Sequence, residues 1–260
     1  MDHMPELDTH LKTLRLPSVL RHYRQVADDA RRHQRGYEQF LYELMDQEVT
    51  DRDLLRQRRL LRAARFPVIK ALADFDFTQV RSLNPQVVTH LAEGHYLAQA
   101  ESILCIGNPG VGKTHIATGL AVAACHQGHR VRFYTAASLV NELLEAHATR
   151  KLERVVSQAL KARLLVIDEL GFIPLTTEAA QLLFQFCSAL HERVSLLVTT
   201  NLRFADWSHI LGDERLTAAL IDRLTHRGHI LEFIGESYRF RQRLARHSSW
   251  EDGREAHRAS

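Results

Sequence analysis

Hydrophobic positions switch period once along this chain, from helical spacing to short strand-like runs. Leu11, Leu14, Leu16 and Leu20 open a helical region that Pro17 interrupts. Tyr37, Phe40, Leu41, Leu44 and Met45 then fall at i, i+3, i+4, i+7 and i+8. A third helix carries Leu54, Leu55, Leu60 and Leu61 with arginines interleaved, and it stops before Pro67. This reads as a small all-α N-terminal domain over 1–66. Residues 67–101, with Pro67, Phe75, Phe77 and Pro85, read as a connector with one short helix over 85–93. From Ser102 onward apolar runs alternate with helical stretches. The strands are expected at 102–106, 131–134, 164–167, 194–198 and 230–234, and helices over 137–147, 151–162 and 178–191. Such alternation predicts an α/β fold over 102–246, a mostly parallel sheet flanked by helices. The run Leu164-Leu165-Val166-Ile167 suits a strand buried on both faces. The polar tail 247–260 is expected to be disordered.

Between the first strand and its helix lies Gly107-Asn108-Pro109-Gly110-Val111-Gly112-Lys113-Thr114, which fits the P-loop pattern GxxxxGK[ST] without mismatch. In such a loop backbone N–H groups converge on phosphates, and glycines let the main chain come close. Lys113 supplies a charge to the β- and γ-phosphates, and Thr114 a hydroxyl to Mg²⁺. The glycine order is not that of a dinucleotide site. After the loop Ile116, Leu120, Ala123 and Ala124 recur at helical spacing, and Gly128 ends the helix. Strand, loop and helix together are the setting that makes the pattern a nucleotide-binding site rather than a glycine-rich turn.

Asp168-Glu169 follows the apolar strand, at the sheet edge where a hydrolytic P-loop protein needs two carboxylates. Read alone, two acids before Gly171 also suit the opening of a turn. Beside a P-loop, Asp168 is expected to serve Mg²⁺, directly or through water, and Glu169 to polarise the attacking water. Thr199-Thr200-Asn201 closes the next strand. Asn201 is the candidate contact to the γ-phosphate or the water, against the simpler role of a turn or helix cap. The helix 216–224 carries Arg223, an arginine able to reach a neighbouring subunit's nucleotide, with an ion pair to Asp222 as the alternative.

Composition adds limits rather than chemistry. The chain has 260 residues, 45% of them hydrophobic, and a net charge of +3. No run of about eighteen apolar residues suggests a membrane span. Cys105, Cys125 and Cys187 are scattered, with no zinc-binding spacing, which suits a reducing cytoplasm. Charge distribution says more than net charge. No acid lies between Asp53 and Asp74, where Arg56, Arg58, Arg59, Arg62 and Arg65 cluster. The cluster is a candidate DNA-backbone surface, a solvated helix face, or a subunit contact.

Further stretches carry a family likeness: Leu11-Lys12-Thr13-Leu14-Arg15-Leu16, Phe66-Pro67 through Phe75-Asp76-Phe77, and Gly107 to His115. So do Asp168-Glu169-Leu170-Gly171-Phe172, Asp222-Arg223-Leu224 and Gly235-Glu236-Ser237-Tyr238-Arg239. In these the chain resembles the IstB-type ATP-binding proteins that accompany the transposase of bacterial insertion sequences, relatives of the helicase loader DnaC and the initiator DnaA. The resemblance implies an AAA+ ATPase fold with ATP and Mg²⁺ as cofactors, and His115 at the end of the nucleotide-binding run. It also implies ATP-dependent self-association on double-stranded DNA and stimulation of a partner transposase. Arg223 then matches the family's arginine finger. The paired helices over 137–162 match an insertion that faces DNA in the initiators, which makes Arg150, Lys151, Arg154 and Lys161 a second candidate DNA surface. A charged solvent face is the other reading of those residues. No helical lid is expected after Ile234, so neither Arg239 nor Arg241 is assigned to the nucleotide. A DnaC-like loader acting through protein contacts, and a P-loop kinase with a small-molecule acceptor, are the alternative functions.

Overall fold

The computed structural model describes residues 4–172 and 174–237. The chain divides into two compact units, Met1–Arg59 and Leu60–Ser260. In the first, α1 (Met4–Thr13) and α2 (Pro17–Arg32) precede α3 (Tyr37–Ala64). Pro17 marks the expected interruption by beginning a helix, at the first position, where a missing N–H costs no helical bond. The two helices expected on either side of residues 46–53 are one. No glycine or proline occurs between Tyr37 and Ala64, and Arg52 Nε donates to Glu48 Oε1 at 2.7 Å across the expected junction.

Glu48 is the polar centre of this unit, at 3% exposure. Its Oε2 accepts from the amides of Ser18 (2.8 Å) and Val19 (3.1 Å), the first turn of α2. Leu16, at the N-cap of α2, offers no side-chain acceptor, so Glu48 caps that helix from outside. Leu11, Val19, Tyr23 and Leu44 form the small apolar core beside it. Burial pushes the Glu48 carboxyl up, but hydrogen bonds from Arg52, Val19 and Ser18 outweigh that and hold it below its ordinary value.

The second unit takes in the last turn of α3, which ends at Arg65 in the left-handed region (φ 62°) before Phe66-Pro67. Two 3-10 turns, Leu72–Asp74 and Phe77–Gln79, lead to α4 (Pro85–Ala92) and α5 (His95–Ala98). The alternating part follows as β1 (Ser102–Gly107), α6 (Lys113–His126), β2 (Val131–Thr135), α7 (Ala136–Ala148), α8 (Leu152–Ala159), β3 (Leu164–Leu170), α9 (Thr177–Leu190), β4 (Ser195–Thr200), α10 (Ser208–Leu211), α11 (Glu214–Thr225) and β5 (Gly228–Phe233).

The five strands lie in the order β2-β3-β4-β1-β5, and every pairing is parallel. Alternate residues feed two cores, which is why the strands read as continuous apolar runs. Ile103, Cys105, Leu164, Val166 and Leu197 face α6 and the 66–97 segment. Leu104, Leu165, Ile167, Leu196 and Val198 face α7, α9 and α11. The expected connector is therefore packed structure: Val80, Leu83, Val88, Leu91, Tyr96 and Leu97 are all buried in the α6-side core. β3 runs beyond its expected end at Ile167. Ile167 stands opposite Val198 and Leu170 opposite Thr200, so Asp168 and Glu169 together oppose Thr199, a one-residue bulge.

A carboxyl held below its ordinary value contributes stability present above the unfolded-state pKa and lost as pH falls through the folded one. Helicity followed by circular dichroism should therefore weaken on acidification below about pH 4.5, the ordinary carboxyl value here. Glu48→Gln should cost about 1–3 kcal/mol at neutral pH and flatten that acid dependence in thermal melts.

Candidate nucleotide site

Parallel strands deliver their C-terminal ends to one edge, and the site is built there. β1 ends at Gly107, where the backbone carbonyl of Phe233 on β5 occupies the space a Cβ would need. The loop closes at Gly112, whose φ of +99° and contact with the Phe75 ring both exclude a side chain. Gly112 is the N-cap of α6, so the free N–H groups of that helix open onto the loop. Lys113 is 8% exposed, and its Nζ donates to Gly107 O (2.6 Å) and Asn108 O (2.8 Å). These bonds tie the Lys113 ammonium to the carbonyls at the start of its own loop.

Asp168, at 3% exposure, accepts hydroxyl bonds at Oδ1 from Thr114 (3.0 Å) and Thr199 (2.5 Å). Glu169, one residue on, is exposed and has φ +62°. Asn201 carries an Oδ1 that is buried and has no hydrogen-bond partner among the described residues. Lys113, Thr114, Glu169, Thr199 and Asn201 all line one cleft of about 390 Å³, together with Pro109 to Gly112 and His115. The structure thus gathers the cradle, both hydroxyls, the exposed acid and the unpaired amide around one space.

The remaining lining of the cleft has no chemical role in the sequence reading. Lys70, Asp74, Phe75, Asp76, Gln79 and Val80 belong to it, as does Glu236. Phe75 packs edge-on against Phe77 (4.9 Å between centroids) and His115 (5.3 Å). His115 Nε2 lies 2.8 Å from Ala71 O, and since a carbonyl only accepts, Nε2 carries the proton. That bond pins the 70–80 strap to α6. An apolar ring at the cleft wall, flanked by polar groups, suits a purine base. The available signal was Phe75-Asp76-Phe77, an aromatic pair in a segment too short and irregular for periodicity to place.

Other candidates lie elsewhere. Arg223 on α11 sits with its guanidinium 4.6 Å from the Phe184 ring centroid and donates to Ala219 O at 3.3 Å. It is not among the residues lining the cleft. Arg150, Lys151 and Arg154 are exposed where α7 turns into α8. Arg56, Arg58, Arg59 and Arg62 are exposed on the C-terminal half of α3, with Arg65 just beyond it. Tyr238, Arg239 and Arg241 lie outside the described residues. The three cysteines are buried, and burial pushes each thiol up to about 12, so none is a thiolate at neutral pH. Among the described residues no His/Cys/Asp/Glu cluster could hold a metal by itself, and no helix is long and apolar enough to cross a membrane.

The family model described as IstB-like ATP binding protein matches residues 9–246. The chain belongs to this family. A protein of Pseudomonas aeruginosa, named as an ATP-binding protein of insertion sequence IS21, is 35% identical over 92% of this chain and 91% of its own length. Its counterpart for IS5376 from Geobacillus stearothermophilus is 32% identical over 92% of this chain and 95% of its own length. Among solved structures the DnaC helicase loader superposes with a TM-score of 0.50 at 21% identity, covering 57% of this chain and 87% of that one. This likeness is one of fold: the parallel sheet flanked by helices is shared with the DnaC helicase loader.

If Phe75 forms the base wall, Phe75→Ala should weaken binding of a fluorescent ATP analogue by about tenfold, the order expected for losing one aromatic stack. Hydrolysis at saturating ATP should fall much less.

Proposed function

We propose that this IstB-like protein is an ATP-driven assembly switch on double-stranded DNA that helps a partner transposase in insertion-sequence transposition. The observation that carries it is the meeting of Lys113, Glu169 and Asn201 at one cleft, with Asp168 bonded to Thr114 of its lining, in a chain whose named relatives belong to insertion sequences. The N–H groups opening α6 and the Lys113 ammonium take the β- and γ-phosphates. Thr114 and Asp168 bring two hard oxygens 3.0 Å apart, a pair that fits Mg²⁺ completed by phosphate and water. Bound there, the ion would neutralise phosphate charge. Asn201 Oδ1, unpaired in the cleft, accepts from the attacking water and orients it. Glu169 takes the proton as the water oxygen bonds to the γ-phosphorus and the bond to the β-phosphate oxygen breaks.

DNA is held by exposed arginines of α3, with Arg150, Lys151 and Arg154 as a second surface; each displaces counterions from the phosphate backbone. ATP drives assembly only if it binds the assembled state better than the free one. Arg223, away from its own chain's cleft, supplies that difference by reaching the nucleotide of a neighbouring copy. One observation favours a contribution from protein contacts of the loader kind. Tyr37, Leu41, Tyr42 and Val49 on the N-terminal half of α3 are exposed, and such side chains suit a protein surface better than phosphate.

Lys113→Ala should lose ATP-stimulated binding to a labelled duplex by about tenfold or more, the scale of a lost charge-assisted phosphate contact. Equal anisotropy titrations for mutant and wild type with ATP would reject the switch. Mixing Arg223→Ala with Glu169→Gln should recover part of the hydrolysis that each lacks alone, because one interface in the mixture then holds both intact groups. No recovery at any ratio would place Arg223 outside the reaction.

A further inference from the structure

The bulge in β3 is the least expected feature of the cleft. Unbroken alternation would point Leu170 to the α6 side, with Leu164, Val166 and Asp168. Leu170 instead lies in the opposite core, with Leu165 and Ile167. Glu169 is the extra residue that makes the change, and it stands in the left-handed region at φ +62°. Glutamate has no intrinsic preference for that conformation, so something must hold it there.

Thr199 is the residue opposite the bulge, at 1% exposure. Its hydroxyl has one proton, and that proton goes to Asp168 Oδ1 at 2.5 Å. The lone pairs of the same oxygen accept the Glu169 amide at 2.9 Å. One side-chain oxygen thus takes the place of a strand partner for the two bulged residues. It orients the Asp168 carboxylate and the Glu169 backbone together. A second hydroxyl, from Thr114, reaches the same Asp168 oxygen at 3.0 Å but makes no bond to Glu169.

We propose that Thr199 is a positioning residue for hydrolysis: its hydroxyl pins the bulge that aims Glu169 into the cleft. This rests on Glu169 being the general base. Without the Thr199 hydroxyl Asp168 keeps its Thr114 donor while the Glu169 amide loses its acceptor, so the loss should move the catalytic rate and leave nucleotide affinity in place. Valine has the same shape without the hydroxyl, and serine keeps the hydroxyl without the methyl.

Thr199→Val should lower kcat for ATP by about tenfold to a hundredfold, the range for a reacting group displaced by an ångström or less. KM and the affinity for a fluorescent ATP analogue should stay within about twofold of wild type. Thr199→Ser should return kcat to within about threefold of wild type. Added to Glu169→Gln, Thr199→Val should cost little more, because a residue that works through another is silent once that one is gone. Wild-type kcat in Thr199→Val, loss of nucleotide binding in step with hydrolysis, failure of Thr199→Ser, or full additivity with Glu169→Gln would each overturn the proposal. The two readings separate cleanly. A slow Glu169→Gln with a fast Thr199→Val overturns the role of Thr199 alone. A Glu169→Gln that hydrolyses at the wild-type rate removes the general base, and the proposal with it.

Discussion

A carboxylate buried among valine, leucine and isoleucine is tolerable only if its oxygens are met by donors. Asp168 is such a group, and its donors come from two other elements. Thr114 lies in the first turn of the helix after the P-loop, and Thr199 on the neighbouring strand. Satisfying one oxygen therefore ties α6, β3 and β4 together at the edge where the cleft opens. Strand order serves the same end. β4 lies between β1 and β3, so the loop after β1, the acids of β3 and the amide after β4 reach one space without any long excursion. The cradle alone would bind phosphate. This tie brings the exposed Glu169 and the Asn201 amide to the same cleft.

What could be read from the sequence follows from how locally each feature is encoded. The P-loop is legible because its geometry is made by its own eight residues: Gly112 must take positive φ, and Lys113 bonds back to its own loop. The strands are legible because burial on both faces removes polar positions from them. Asp168 and Glu169 could be named but not arranged. The bulge depends on Thr199, thirty residues away, and no periodicity within 164–170 announces it. The strap was invisible for a related reason. Leu72 lies where Gly119 leaves room on α6, and Phe75 where Gly112 does, so its structure is written partly in glycines of another segment. Pro17 does mark the interruption between α1 and α2, as the first residue of the second helix, whereas the continuity of α3 is not legible in its apolar pattern. Apolar side chains exposed on α3 blur the periodicity on which the split relied.

The first unit shows the same economy with a different group. Glu48 does for α2 what an N-cap side chain does for most helices, but from thirty residues along the chain. Its second oxygen takes Arg52 one turn further on α3, so a single buried acid caps one helix and stiffens another. Toward its C-terminus α3 turns basic and loses acids after Asp53, and its N-terminal half carries the exposed tyrosines and aliphatics. One helix therefore offers two chemistries in sequence, apolar then cationic. On the proposed reading these correspond to protein and to nucleic acid.

The composition of the cleft itself bears on why assembly and hydrolysis would be linked. Its cationic lining residues among those described are Lys113 and Lys70, and no arginine joins them. Lys113 bonds the carbonyls of its own loop, and a lysine ammonium can meet phosphate only as a point charge. Phosphoryl transfer spreads charge over the moving group and gains most from a planar, bidentate donor delivered at that moment. Arg223 has the right chemistry but rests on Phe184, on the face of α9 and α11. A cleft that can hold ATP but lacks this donor would hydrolyse it slowly in isolation. If a second copy supplies the arginine, ATP is kept until copies meet and is spent after they do. That order lets nucleotide mark an assembled state without being consumed by free chains, which is what a switch on DNA requires.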